Sequence, residues 1–215
     1  MEALEITAEL AGPIVVQEGV GIALDALLMA AVCRSTGIPP ATTEAELVLV
    51  SIPVAMERGI YLASVSAFAV EARERTWISR RFPVAEAQRM GDAKLKRIDI
   101  ATGPCKSFRI PMELKHLEHD RVTWWCVGEA EPIRALLGWV GYLGKKRSVG
   151  KGQVRRWTVE TCEAWPGFPV LRDGQPLRAL PLDWPKLSPE AERGYAVLNP
   201  PRWIRTREVE CAVPR

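Results

Sequence analysis

Polar and apolar residues alternate at the start of the chain. Ile6, Ala8 and Leu10 share one side of an extended segment, and Ile14, Val15 and Val16 continue it past Gly12-Pro13. Glu5–Val16 is therefore predicted as a strand, broken or bent at that dipeptide. Leu24, Leu27, Leu28, Ala31 and Val32 then recur at the period of a helix, which Gly37 and Pro39-Pro40 end. Leu47–Pro53 and Ile60–Val70 are short β-rich runs, and Met56-Glu57-Arg58-Gly59 between them reads as a hairpin turn. Residues 71–115 are mostly polar and show no clear period. Gly91, Gly103-Pro104 and Pro111 punctuate them, and a short helix is expected near Ala85–Met90.

Order returns with Val122-Thr123-Trp124-Trp125-Cys126-Val127, a strong strand signal in which one of the two tryptophans faces the core. Glu131-Pro132 opens a second helix with Ile133, Leu136, Leu137 and Val140 on its apolar face and Gly144 at its end. A glycine-rich basic loop leads from it to a strand over Gln153–Glu160. The order is β-α-β-β-α-β, that of a ferredoxin-like (RRM-like) α+β domain over residues 1–163 with a long basic insertion at about 71–120. Residues 164–215 are proline-rich and aperiodic. They are expected to wrap the domain as an irregular extension with one late strand at Glu208–Val213.

Composition narrows the class. The 215 residues are 47% hydrophobic and 26% charged, which excludes a disordered chain, a collagen and a disulfide scaffold. No apolar run approaches the roughly 18 residues of a membrane span, and Met1-Glu2-Ala3-Leu4-Glu5 is acidic where a signal peptide is basic. Cys33, Cys105, Cys126, Cys162 and Cys211 form no CxxC pair and read as free thiols of a cytoplasmic protein. The net charge of +3 is unevenly spread: residues 1–70 carry eight acids and two bases, residues 71–157 ten acids and nineteen bases, and the rest is balanced. A basic centre in a near-neutral chain points to a localised polyanion site.

The sharpest motif lies within that centre. Gly144-Lys145-Lys146-Arg147-Ser148-Val149-Gly150-Lys151-Gly152 combines three glycines, four bases and a hydroxyl. Glycine lets backbone amides approach a phosphate closely, and the bases add charge. It is not a Walker A loop: five residues separate Gly144 from Gly150 where four are required, Gly152 follows Lys151, and the loop runs from helix to strand. Its plainer alternative is a solvated connection.

A basic glycine-rich loop between the last helix and last strand resembles that of the RAMP (repeat-associated mysterious protein) superfamily of CRISPR systems. An ordered set of stretches resembles, more specifically, the type IV subunit that is the counterpart of the crRNA 5′-handle-binding subunit of type I complexes. The set comprises Ala23–Leu28, Arg80-Arg81-Phe82-Pro83, Gly103–Pro111, Trp124–Gly128, Gly144–Gly152, Trp165–Pro169 and Glu210–Pro214.

The resemblance implies a non-catalytic RNA-binding subunit that caps one end of a ribonucleoprotein and holds the 5′ handle of the guide RNA. Its implied partners are the crRNA, a helical backbone subunit, a large subunit and a crRNA-processing endoribonuclease; target-adjacent (PAM) duplex DNA is a further one. Carried onto this chain, Gly144, Lys145, Lys146, Arg147, Ser148, Gly150, Lys151 and Gly152 would cradle handle phosphates. Arg80, Arg81, Lys106, Ser107 and Arg109 of the thumb-like insertion would add RNA contacts. Lys94, Lys96, Arg97 and Trp77 complete the candidates, Trp77 as a stacking platform. Neither cofactor nor metal is implied: His116 and His119 have HxxH spacing without further ligands. The rival chemistry is a metal-independent endoribonuclease using His116, His119 and Lys115 to move protons. A third alternative is a protein–protein adaptor without nucleic acid.

Overall fold

Strand β1 (Glu2–Leu10) buries Leu4, Ile6, Ala8 and Leu10 on one face and turns Glu5, Thr7 and Glu9 to the other, as a pleated strand must. The structure, a computed structural model, describes residues 1–17, 21–39, 50–83, 85, 89, 99–102 and 106–214. β1 is the centre of a three-stranded antiparallel sheet, flanked by β6 (Arg121–Gly128) and β7 (Val154–Thr161). Helices α1 (Leu24–Thr36) and α2 (Ala130–Leu137) supply Leu24, Leu28, Ala31, Ile133 and Leu137 to the same core as Leu4, Ile6, Trp124 and Val159. Gly37 ends α1 in the left-handed region at φ 71°, where its N–H reaches the Arg34 carbonyl. The fold is α+β. The second helix is shorter than its apolar period suggests: it stops at Leu137, and Val140 is buried from a turn beyond it.

The segment before the insertion is less regular than expected. β2 (Met56–Glu57) and β3 (Ile60–Tyr61) form a tight hairpin over Arg58 (φ 49°) and Gly59 (φ 78°), the positive pair that a two-residue turn demands. Single antiparallel bridges from Val54, Ala63 and Ala67 to Gly128, Cys126 and Thr123 attach this segment to the free edge of β6. Ile60–Val70 is thus pinned at points along its length, not laddered as one strand. Of the predicted run Leu47–Pro53, residues 47–49 lie outside the described residues, and 50–53 form no ladder.

The largest departure is the insertion. Its arms form a long two-stranded antiparallel ribbon, β4 (Val70–Arg80) and β5 (Phe108–Leu117), with Val70 opposite Leu117, a bulge between Val70 and Ala72, and regular pairing from Ala72 opposite His116 to Arg80 opposite Phe108. Most of β4 is exposed on both faces, so no period-2 hydrophobic signal exists for a sequence reading to find. Pro111 fits within β5 because the ribbon has free edges. Ala85 and Arg89 are helical, within the predicted short helix.

The C-terminal extension covers the second face of the sheet. Trp125 is only 9% exposed, with the Trp165 ring edge-on at 5.7 Å and the Arg172 guanidinium 4.5 Å from its centroid. Both adjacent tryptophans are therefore packed, Trp124 against the helices and Trp125 under the extension. Val170, Leu171, Leu180 and Trp184 make a small second core with Ile60. Short pairs β8 (Leu171–Arg172) with β9 (Gln175–Pro176) and β10 (Arg193–Ala196) with β11 (Val209–Ala212) order the remainder; β11 is the late strand.

Candidate nucleic-acid interface

The basic loop is held at both ends and projects at its middle. The Gly152 N–H donates to Pro13 O at 3.0 Å, the Leu143 N–H to Gly152 O at 2.8 Å, and the Lys145 N–H to Val15 O at 2.7 Å. A Cβ on Gly144 would lie 2.5 Å from Val15 O, and one on Gly152 2.1 Å from Leu143 O; both glycines also have positive φ. Gly144 is thus required by close packing against the segment after β1, and Gly152 by close packing against the backbone that enters the loop at Leu143. Gly150 differs: its φ is +76° but a Cβ there would meet open space. Between these anchors Arg147–Val149 makes one 3₁₀ turn entered through Lys146 in the left-handed region. Lys145, Lys146, Arg147 and Ser148 are exposed, and none of the loop's four bases has a carboxylate partner among the described residues. Lys145 Nζ donates to Gln17 Oε1 at 3.1 Å.

The fold brings this loop to the side of the ribbon. Lys145, Lys146, Val15 and Gln17 form one wall of a cleft of about 230 Å³, and Ile78 and Ile110–Glu113 form the other. Farther along the ribbon, Trp77, Ser79, Arg80, Arg81, Ser107, Phe108 and Arg109 line a second open cleft of about 450 Å³. Arg109 Cζ lies over the Trp77 ring at 4.5 Å from its centroid, a cation–π contact on an indole that is itself 49% exposed. Such a pair presents both a charge and a stacking surface. Ser107 has a structural task, since its Oγ accepts the Phe82 N–H at 3.3 Å and its own N–H donates to Ile100 O at 2.8 Å. Lys106 is exposed beside it. Lys94, Lys96 and Arg97 lie outside the described residues.

The histidines fall elsewhere. His116 is half-exposed on β5 with Nε2 3.3 Å from Glu74 Oε2, and His119 sits at φ 54° in the turn Glu118–Asp120. Lys115 and His116 are successive strand residues and so point to opposite faces, which separates the amine from the imidazole. Among the described residues no three of His, Cys, Asp and Glu gather as a metal site, and no helix is long and apolar enough to cross a membrane.

Gln17, Ile78 and Ile110 were not singled out by the sequence. Their place beside the loop depends on the ribbon's register, for which no local signal exists. No curated protein matches the chain. The profile of the CRISPR type IV associated protein Csf3 family matches residues 54–214, from the hairpin through the ribbon, the loop and the extension. That span includes the loop, the ribbon and every candidate contact residue, and the chain belongs to the CRISPR type IV associated protein Csf3 family.

Proposed function

We propose that this chain is a non-catalytic RNA-binding subunit of a type IV CRISPR ribonucleoprotein. It holds the 5′ handle of the guide RNA in the cleft between the basic loop and the ribbon, and it caps the backbone filament. The observation that carries this reading is the meeting of the basic loop with the inserted ribbon: Lys145 and Lys146 line one cleft with Ile78 and Ile110–Glu113, and the ribbon's own bases, Arg80, Arg81 and Arg109, line the next cleft along the arm. Four loop bases without carboxylate partners among the described residues supply phosphate contacts, which set the position of a strand. The Trp77–Arg109 pair adds a stacking platform farther out.

The scaffold is read as ferredoxin-like. The antiparallel order β6-β1-β7, with the bridged segment 54–67 beyond β6, supports it, as do both helices packing on one face. The ribbon is read as the thumb-like element, within a domain spanning 1–163 that the 164–215 extension covers. The backbone subunit, large subunit and processing endoribonuclease are the protein partners in this reading, and target-adjacent duplex is within the reach of the ribbon tip.

Charge reversal at Lys145, Lys146 and Arg147 tests the proposal in cells expressing the whole complex with its guide. The expected result is loss of guide RNA from the purified assembly while the variant chain stays folded. Guide retention at the normal level would overturn it.

A further inference from the structure

A third cleft opens at the base of the ribbon, and its chemistry is unlike that of the other two. It has a volume of about 460 Å³. Lys115 lines it while being only 5% exposed. Among the described residues no carboxylate or carbonyl receives the Lys115 ammonium. Directly opposite Lys115 in the ribbon is Arg73, whose Nη1 lies 2.9 Å from Glu113 Oε1. Like charges facing one another across strands oppose pairing, and Lys115 buries its stem while its ammonium stays open to the cleft with no protein counter-charge among the described residues. The site therefore favours an anion. Its remaining walls are largely apolar, including Phe68, Trp125 and Leu177. Gln17 lines this cleft as well as the one beside the basic loop, so the two are neighbours on one surface.

We infer that this basal cleft takes one unstacked nucleotide, its phosphate on Lys115 and its base against the apolar walls. The inference rests on the RNA-binding reading above, because the nucleotide belongs to a strand leaving the loop cleft past Gln17. A bare anion would leave the apolar walls unused, and an apolar ligand would leave the ammonium uncompensated; a nucleotide satisfies both. The volume also accommodates one nucleotide and excludes a duplex.

The test uses the full chain and three probes: uridine 5′-monophosphate, adenosine 5′-monophosphate and inorganic phosphate, titrated by calorimetry. At least one nucleotide is expected to bind, more tightly than inorganic phosphate. Lys115→Met should weaken that binding by about tenfold or more, the scale of a lost charge-assisted hydrogen bond. Ala67→Trp, which keeps the lysine but fills the exposed mouth of the cleft, should weaken it comparably. Thermal melts establish that each variant is folded. Absence of nucleotide binding, equal binding by folded Lys115→Met, or inorganic phosphate binding as tightly as the nucleotides would each overturn the assignment. So would an acidic peptide binding there while the nucleotides do not. Charge reversal of the loop separates the two ideas: guide retention despite that change defeats the loop reading, whereas mononucleotide binding at the basal cleft is read independently of it.

Discussion

Asp25 and Arg178 form an ion pair at 3.0 Å in which each side chain is 1% exposed. Asp25 lies in the first turn of helix α1 and Arg178 belongs to the C-terminal extension, so the pair ties an early element of the fold to a late one. Arg202 adds both its Asp25 contacts, at 3.0 and 3.1 Å. Arg178 also donates to the carbonyls of Tyr61, Ala63 and Leu198, which gathers the hairpin segment into the same knot. Burial lowers the Arg178 pKa, and the Asp25 carboxylate opposes that shift. The clamp is incompletely satisfied, because the Nε atoms of Arg178 and Arg202 are buried without acceptors among the described residues.

Asp25→Ala is expected to destabilise the chain by about 3–5 kcal/mol, since it strands buried guanidinium charge. Urea denaturation measures this. Adding Arg178→Met should recover part of the loss, because it removes the uncompensated charge; a double variant less stable than the sum of the singles would contradict that account.

The loop glycines divide by role. Gly152→Ala puts a Cβ against Leu143 O and is expected to lower the melting temperature and loosen the loop. Gly150→Ala meets no atom and should cost only the left-handed backbone penalty of about 1–2 kcal/mol. Equal melting temperatures for the two variants would show that the loop is not closed by tight backbone packing of Gly152 on Leu143.

At the ribbon tip, Arg109→Ala and Trp77→Ala should differ in the salt dependence of RNA binding. Removing the arginine is expected to reduce the slope of log affinity against log salt by about one. Removing the indole should weaken binding at all salt concentrations and leave the slope unchanged. Neither change should affect folding appreciably, given the exposure of both side chains.

Acid stability has a traceable contributor in the sheet. A hydrogen bond from Arg156 holds the Glu9 carboxyl below its ordinary value, with further help from the charges of Arg156, Arg121 and Arg155 against a desolvation cost. The carboxylate bonds Arg156 at 2.7 Å on β7 and lies 3.8 Å from Arg121 on β6. A depressed folded-state pKa contributes stability above the unfolded value, and that contribution fades as pH falls through the folded one. Glu9→Gln should therefore flatten the decline in melting temperature below its ordinary pKa of 4.5 relative to the parent chain.

Cys126 offers an independent check of the core. Burial, with a smaller effect of nearby Cys162, pushes its thiol up to about 12. It should resist alkylation at pH 8 in the folded chain and react once denaturant is added, as mass spectrometry would show. Rapid native labelling of Cys126 would place the β6 edge in contact with solvent.

What the sequence made visible follows from where water is excluded. β1, α1 and the strand containing Trp124 each bury one face, and one-sided burial writes a period into the residues. The left-handed Gly37 and the Arg58-Gly59 turn were legible from glycine alone. The ribbon was not, because neither of its faces is consistently buried, and with it went the position of Ile78, Ile110 and Gln17 beside the loop. The basic loop was recognised by composition, yet the separate tasks of Gly144, Gly150 and Gly152 depend on which backbone passes close to each. Lys115 stands out in the sequence only beside His116 and His119, and its burial is the sharpest miss. It sits in a polar stretch, and only the crossing of the ribbon base, the 65–68 segment and the extension buries its stem.

The ribbon's lack of a supporting layer along most of its length has an evolutionary consequence. Residues of its outer part, where Trp77–Arg80 face Phe108–Pro111 and beyond, can be exchanged, or the arm lengthened and shortened, without disturbing the buried Met112, Leu114 and Leu117. Relatives are thus free to retune what the arm touches while inheriting the same body, and divergence within the family should concentrate between Trp77 and Pro111, outside the buried base of the ribbon.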